Sequence, residues 1–369
     1  MQQRGAALLS VLALMLIILP LGAYLVLQAR TDLLIQRSFR EEIEAFYVAE
    51  AGLEHAIAEI RPDQSFDNLL AGPDHVSGTA DDGVFPFAAG KPAPFPIDPF
   101  RYEVSVSAAA PTALLVASRG YGRNGAARVV SAVLLRSPAP WTPAALLAEG
   151  NLESLDLGDG SILLSGFDHR VGDPPSAPTG TADPVAAAAA TAADAAAMIL
   201  QQLGAALAGR FVGLGGPPSI TTAPQVDIQT LSSRVAQLAE AVLLGSIAAS
   251  DHVSLGSRQT PQASVVAGDV DIGDQTSGSG ILVILGGLHV SGTFNFTGLV
   301  VVMGGISFEP GSEVSVAGAL WRGPGVDRRM RLRGAGALMY SSEALAEADA
   351  AFPGVLPHAV VMSGWLEQL

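Results

Sequence analysis

Three acidic residues within six positions, Asp269, Asp271 and Asp274 in GDVDIGD, are a feature of this 369-residue chain that could do chemistry. Paired carboxylates are what glycoside hydrolysis requires as acid and base. Asp is also a common turn residue, and here the spacing predicts turns rather than catalysis. A second group, Asp74, Asp81 and Asp82, offers hard oxygen ligands of the kind calcium takes. Its spacing does not match the twelve-residue EF-hand loop, so turn chemistry is again expected. The six histidines, His55, His75, His169, His252, His289 and His358, include no pair at the i, i+4 spacing of a helical metal site. Arg322, Arg328, Arg329, Arg331 and Arg333 form the one basic patch in an acidic chain, expected either to pair with acidic neighbours or to touch a partner. GPGVDRR lacks the Lys-Ser/Thr of a phosphate loop. These residues predict no catalytic site, no metal site and no cofactor.

Composition narrows the class further. There are 20 Lys+Arg against 35 Asp+Glu, for a formal net charge of −15. Nucleic acid is therefore not an expected partner, since neutralising phosphates needs a basic surface. With no cysteine, disulfides, Cys-based zinc sites and thiol catalysis are excluded. Only 15% of residues are charged, while Gly and Pro number 41 and 24, a balance that points to many turns and short strands.

The elements that must carry such a surface begin with an apolar run. Between Arg4 and Leu27 the chain reads RGAALLSVLALMLIILPLGAYLVL, without a charge after Arg4. As a helix, residues 6–27 would span about 33 Å, enough for the hydrocarbon of a bilayer and longer than the apolar region of a cleaved signal peptide. The following stretch has no proline before Pro62 and sets Leu33, Phe39, Ile43, Phe46, Leu53, Ile57 and Ile60 at near-helical intervals. Anchor and amphipathic segment read as one helix, with Pro20 removing one backbone donor and kinking the membrane half.

A short leader ending in Arg-Gly, an apolar helix directly after it, a proline inside that helix, and then AFYVAEAGLEHAIAEI resemble the N-terminus of type IV pilins, specifically the PilX-like minor pilins. The resemblance implies cleavage by a prepilin peptidase between Gly5 and Ala6, with Arg4 preceding the cut, and methylation of the new N-terminus. Major pilins carry Phe at the position of Ala6 and Glu at the position of Ser10. Ser10 in place of that Glu fits the minor members, several of which lack it. The partners implied are other pilins and minor pilins, the prepilin peptidase, the inner-membrane assembly machinery and membrane lipid. The implied location is the bacterial inner membrane with the body in the periplasm, then a cell-surface pilus or pseudopilus.

Beyond Pro62 a Gly-, Pro- and Asp-rich stretch reads as a long loop, and FRYEVSVSA, ALLVASRGYG and AARVVSAVLLR follow as an antiparallel meander. SPAPWTP marks a boundary. After it, GILVILGGLHVSGTFNFT and GLVVVMGGISFEPGSEVSVA repeat, with Gly280, Gly298 and Gly318 in corresponding places. Leu288 aligns with Ile306, Val290 with Phe308, Phe294 with Val314 and Phe296 with Val316. A parallel β-helix accounts for the period, each copy making one coil whose apolar residues stack inward on the next. VAAAAATAADAAAMILQQLGAALAG and DIQTLSSRVAQLAEAVLL are expected as helices interrupting the coils.

The chain is therefore expected to be an α+β protein: a long N-terminal transmembrane helix with a small antiparallel sheet, followed by a parallel β-helix-like domain with helical insertions. The expected partition is residues 1–5 as leader, 6–61 as the membrane-spanning and amphipathic helix, 62–137 as loop and strands, and 138–369 as the β-helix-like domain with its helical insertion at about 185–245. The function expected is a non-catalytic minor pilin-like subunit that primes assembly or caps the tip. The alternative is a membrane-tethered surface adhesin or carbohydrate-binding β-helix protein.

Overall fold

The computed structural model describes residues 2–60, 66–74, 76–87, 100–110, 112–158, 161–203, 205–238, 241–249 and 253–368, with side chains except at 2–14, 16, 17, 205, 206, 367 and 368. His75, His252 and the loop expected over residues 88–99 lie outside the described residues. The chain divides into two compact units, Met1–Ile60, Ser65–Leu135 and Val361–Leu369 in the first, Arg61–Gln64 and Arg136–Val360 in the second.

In the first unit, helix α1 (Gln2–Glu59) runs for 58 residues and continues through Pro20. Its part from Ile18 onward is, by length and composition, long and apolar enough to cross a membrane. Ile18, Leu19, Leu21, Leu25 and Leu27 are exposed, whereas Ala45, Val48, Ala49, Leu53 and Ala56 are buried. The change follows from what α1 meets. Its distal part packs on strands β1 (Arg101–Ala110) and β2 (Ala113–Tyr121), which pair antiparallel, and β2 pairs in the same sense with β3 (Ala127–Pro140). The approach is close enough that a Cβ on Gly120 would overlap Ala45 and Ala49 backbone atoms, and one on Gly52 would lie 2.7 Å from the Tyr102 ring. A short helix α2 (Phe66–Leu70) sets Phe66 and Leu69 into the same core.

The second unit is a parallel β-solenoid. Its strands are β4 (Ala144–Ala148), β5 (Ser154–Asp156), β6 (Leu163–Ser165), β7 (Ala186–Ala190), β8 (Phe211–Val212), β9 (Ile220–Thr222), β10 (Val242–Leu244), β11 (Gln262–Val266), β12 (Val270–Ile272), β13 (Gln275–Ile284), β14 (Leu288–Val290), β15 (Thr293–Val302), β16 (Ile306–Phe308), β17 (Glu313–Arg322), β18 (Arg329–Leu332) and β19 (Ala335–Tyr340). The expected repeat register holds. Leu288 faces Ile306, Val290 faces Phe308, Phe294 faces Val314 and Phe296 faces Val316 on consecutive coils. Gly280, Gly298 and Gly318 stack in one column with φ of 117°, 124° and 135°. That backbone region disfavours side chains, which is why glycine recurs there. Phe294, Phe308, Leu282, Val300 and Leu338 fill the interior.

Helix α5 (Ile228–Gln237), capped by Asp227 accepting from Thr230 N–H at 2.8 Å, and helix α6 (Ser342–Ala351) cover the outside of the large sheet. Ile228, Leu231, Val235 and Leu345 pack there with Ile281, Val283 and Trp321. Helix α3 (Ala193–Gln202) sets Ala195 and Ile199 into the interior cluster beside β7 and β9, and helix α4 (Ala205–Ala208) follows.

Coil order does not follow chain order. The large sheet runs β10-β11-β13-β15-β17-β19-β6-β8, with β4 between β17 and β7 and β9 beyond β7. The chain thus enters in the middle of the stack, winds to the β9 end, passes through α5, resumes at β10 and winds back to meet its own first coil. Every described ladder in this unit is parallel, so the order is that of a simple solenoid cut at the seam and rejoined through α5.

Two expectations need correction. The alanine run expected as helix from residue 185 begins as strand β7, because Ala186–Ala190 lie between β4 and β9 and are buried on both faces. Burial of that kind overrides alanine's helix propensity. Residues 138–369 were expected as one β-helix-like domain, but strand β20 (His358–Gln368) completes the meander as its fourth strand, in the order β1-β2-β3-β20. Val361–Leu369 belong to the first unit, where the Trp365 ring lies edge-on to Phe46 at 6.0 Å. The solenoid is an insertion in the meander rather than a C-terminal extension.

Candidate functional site

Solenoid coils alternate inward and outward side chains, so a short sheet of β12-β14-β16-β18-β5 presents a ladder to solvent. Inward go Val270 and Ile272, Leu288 and Val290, Ile306 and Phe308, Met330 and Leu332. Outward, in register, stand Asp271, His289, Ser307, Arg331 and Asp156. Beside this row the double-glycine corners place bare backbone at Gly287 and Gly305, and the row is flanked by Asp269 and Asp327. A cleft of about 370 Å³ results.

The cleft is lined by groups of both signs. His289 lies between two carboxylates, its Nδ1 3.3 Å from Asp271 and its Nε2 3.3 Å from Glu309. Ser307 donates its hydroxyl to Glu309 at 2.8 Å. That bond, with His289 and Arg331 nearby, holds the Glu309 carboxyl below its ordinary value. Asp269 accepts the Gly287 N–H at 2.7 Å. Arg329 grips both oxygens of Asp327 at 2.9 and 3.0 Å and keeps that carboxyl low as well. Arg331 makes no hydrogen bond or ion pair among the described residues.

The structure thus separates groups that the sequence presents together. Of GDVDIGD, Asp269 and Asp271 reach the cleft and Asp274 does not line it. Of the five arginines, Arg329 and Arg331 line the cleft, and Arg333 pairs with Asp156 at 2.5 Å. Arg322 is fully buried and donates Nη1 to the Glu149 carbonyl at 3.1 Å. In the sequence His289 was weighed only as one of six scattered histidines, and Ser307 and Glu309 were not singled out, although the repeat register places His289 and Ser307 between Asp271 and Arg331.

The Asp74, Asp81 and Asp82 carboxylates close turns. They accept from Val76 N–H at 2.8 Å, from the Thr79 hydroxyl at 2.7 Å and from Gly78 N–H at 2.7 Å respectively. The Thr79 bond foremost lowers the Asp81 carboxyl. Among the described residues no group of three or more His, Asp or Glu is placed to hold a metal ion. Ser165 and His169 form a buried pair, hydroxyl to Nε2 at 2.9 Å, with neither residue reaching solvent. His55 Nδ1 lies 2.7 Å from the Tyr102 hydroxyl, and His358 lies against the Ser137 carbonyl and Asp349.

On α1 the backbone of Arg4, Gly5, Ala6 and Ser10 is helical, and their side chains lie outside the described residues. Further along, Ile35, Phe39, Ile43 and Tyr47 form an exposed stripe at four-residue spacing, with Arg40 and Glu44 at its margin. An apolar row of that spacing lies along one side of a helix.

The class defined by this fold is a long apolar helix on an antiparallel meander, with a parallel β-solenoid inserted before the last strand. No family model matches the chain, and no curated protein matches it. Among solved structures, the competence-associated pilin ComZ from Thermus thermophilus is similar at 13% identity, covering 89% of this chain and 98% of that chain with a TM-score of 0.25. At that score the likeness carries no argument about this chain.

Proposed function

We propose that this chain is a non-catalytic pilin-like subunit of a type IV pilus or related pseudopilus, held in the inner membrane by α1 before assembly and displaying its solenoid from the filament. The observation that carries the reading is the two-part character of α1: from Ile18 to Ile35 its large apolar side chains are exposed, while Ala45, Val48, Ala49, Leu53 and Ala56 are buried. The uncharged part of that stretch ends before Arg30 and Asp32, and an exposed apolar helix surface of this kind needs a bilayer or the helices of neighbouring subunits around it. Arg4-Gly5 ahead of the apolar run adds the expected peptidase site. Its partners would be other pilins, the prepilin peptidase and the inner-membrane machinery.

The finer reading is placement at the tip with a role in starting assembly, and it rests on Ser10. A carboxylate in an apolar filament core is costly alone but, paired with a neighbour's terminal ammonium, fixes axial register. Ser10 can turn its hydroxyl onto its own helix and offers the neighbour no charge. Such a subunit suits a single terminal position better than repeated addition. The test of the whole reading is the mature N-terminus together with the company the protein keeps. Mass spectrometry of sheared filaments should find this chain among pilins and beginning at Ala6. A membrane-bound chain beginning at Met1 and absent from filaments would overturn the reading in favour of a tethered adhesin.

A further inference from the structure

The outward ladder of the short solenoid sheet has a pattern that packing does not require. Solvent-facing positions on consecutive coils can be filled by almost any polar residue, yet here Asp271, His289, Ser307 and Arg331 stand in one line. The line runs from an acceptor, through groups that both donate and accept, to a donor. Neighbouring coils are roughly 4.8 Å apart, so it spans roughly 14 Å. Alongside it the corner row is bare at Gly287 and Gly305. A Cβ at Gly287 would stand 3.1 Å from the Gly305 carbonyl, and one at Gly305 would stand 2.7 Å from the Asp327 carboxylate. The glycines leave a floor on which a ligand could meet backbone and carboxylates directly.

From this geometry we infer that the cleft over Asp271, His289, Ser307 and Arg331 binds a neutral oligosaccharide lying along the solenoid axis. Three features select that chemistry. The lining presents almost no apolar side chain to solvent, since Leu288 and Ile306 turn inward, which excludes lipid and apolar peptide side chains. Four carboxylates, Asp269, Asp271, Glu309 and Asp327, face two guanidinium groups and one imidazole, so a polyanion would meet net repulsion. A chain of hydroxyls, each both donor and acceptor, can meet the acceptor at Asp271, the mixed groups at His289 and Ser307 and the donor at Arg331, and that last donor is one no described protein group uses. The cleft volume falls within the range of small-ligand sites. The inference does not rest on the filament reading, because a tethered protein and a filament subunit would expose the same sheet.

The test uses the full-length protein in detergent, titrated calorimetrically with maltotriose, cellotriose and chitotriose, and with trigalacturonate as the acidic counterpart. At least one neutral trisaccharide should bind saturably and better than trigalacturonate. Arg331→Ala and Asp271→Ala should each weaken it about tenfold or more. Both residues are solvent-facing, so the melting temperature of each variant should match wild type. Absence of saturable binding across the three neutral sugars would overturn the inference, as would preferential binding of trigalacturonate. Affinity that survives both substitutions would place the sugar elsewhere and overturn it too. Variants that melt lower without losing affinity would make the ladder a device for holding coils together.

Discussion

Asp168 accepts two hydrogen bonds from Ser342, 174 positions later: from the backbone N–H at 2.9 Å and from the hydroxyl at 3.0 Å. The carboxylate lies at the N-terminus of α6, where Ser341 also receives the Ala344 N–H at 3.2 Å. A helix start offers unpaired N–H groups and a positive dipole end, and Asp168 meets both. It also receives the Ala182 N–H at 2.8 Å. The pair belongs to a set that bolts the seam of the solenoid, where the first coil of the chain meets the last. Trp321 donates to Thr142 at 3.1 Å, Arg322 to the Glu149 carbonyl, Arg333 to Asp156, and Val171 N–H to Glu343 at 3.0 Å.

Removing the Asp168 carboxylate should loosen the seam specifically. Asp168→Ala leaves two backbone N–H groups and a hydroxyl without their acceptor and should cost about 1–3 kcal/mol, with Asp168→Asn recovering part of it. Denaturant unfolding followed by hydrogen exchange should find lost protection first in α6 and around Ala182. Equal stability of wild type and Asp168→Ala would show that the cap is dispensable.

The interior register predicts a sharp contrast between adjacent residues. Val290 is fully buried between Ile272 and Phe308 of neighbouring coils, and Ser291 is exposed. Val290→Asp should cost several kcal/mol or force the new carboxyl to stay protonated, while Ser291→Asp should change stability by about 0.5 kcal/mol or less. Thermal melts of the two variants check it. Equal losses would contradict the inward and outward assignment.

Stability of the seam region should fall in mild acid through His169. Burial holds its imidazole below the ordinary 6.5, with the charges of Asp173 and Asp168 opposing that effect. In the unfolded chain the ring protonates as pH drops through 6.5, while in the folded chain it stays neutral until lower pH. The unfolded state therefore binds more protons in that window, and stability declines as pH falls from 6.5 toward the depressed folded value. Melting temperatures between pH 7 and pH 5 should fall less steeply in His169→Gln than in wild type. Parallel slopes would remove His169 from the account.

In the first unit, close approach of helix and sheet makes Gly120 intolerant. Gly120→Val would drive side-chain atoms into the α1 backbone at Ala45 and Ala49. Overpacking of this kind costs about 1–3 kcal/mol, and more where backbone blocks relaxation. Hydrogen exchange in β2 and the distal part of α1 should report it, with the solenoid unchanged.

Tip placement predicts labelling at one end of a filament. Immunogold against the solenoid should mark distal ends, and a strain lacking the protein should carry fewer filaments. Even decoration along the shaft would refute the placement.

What could be read in the sequence was what repeats locally. The coils from Gly280 to Gly318 could be aligned because the glycine column and the apolar alternation recur at nearly fixed intervals, and the observed register reproduces that alignment. The meander was legible from alternation in FRYEVSVSA and its neighbours. The strand at Ala186–Ala190 was not, because its cause is burial between two other strands rather than anything in its own composition. The pairing of β20 and the order of coils were also illegible, since both depend on contacts between segments far apart in the chain. The cleft was half legible: Asp271 and Arg331 stood out, but only the coil register brings His289 and Ser307 between them.

The rejoined order of the solenoid also sets a timetable. Synthesis delivers β4 to β9 first, and these strands can pair among themselves as β4 with β7, β7 with β9 and β6 with β8. One side of β4, β5 and β6 stays open until β17, β18 and β19 have been made. An unpaired strand edge beside apolar surface invites pairing with other chains, and ladders closed across so long a loop form slowly. Leu146, Leu155 and Leu164 therefore spend the longest interval of biogenesis exposed along an open edge. That interval is the stage at which pairing with another copy of the chain competes most directly with closure of the seam.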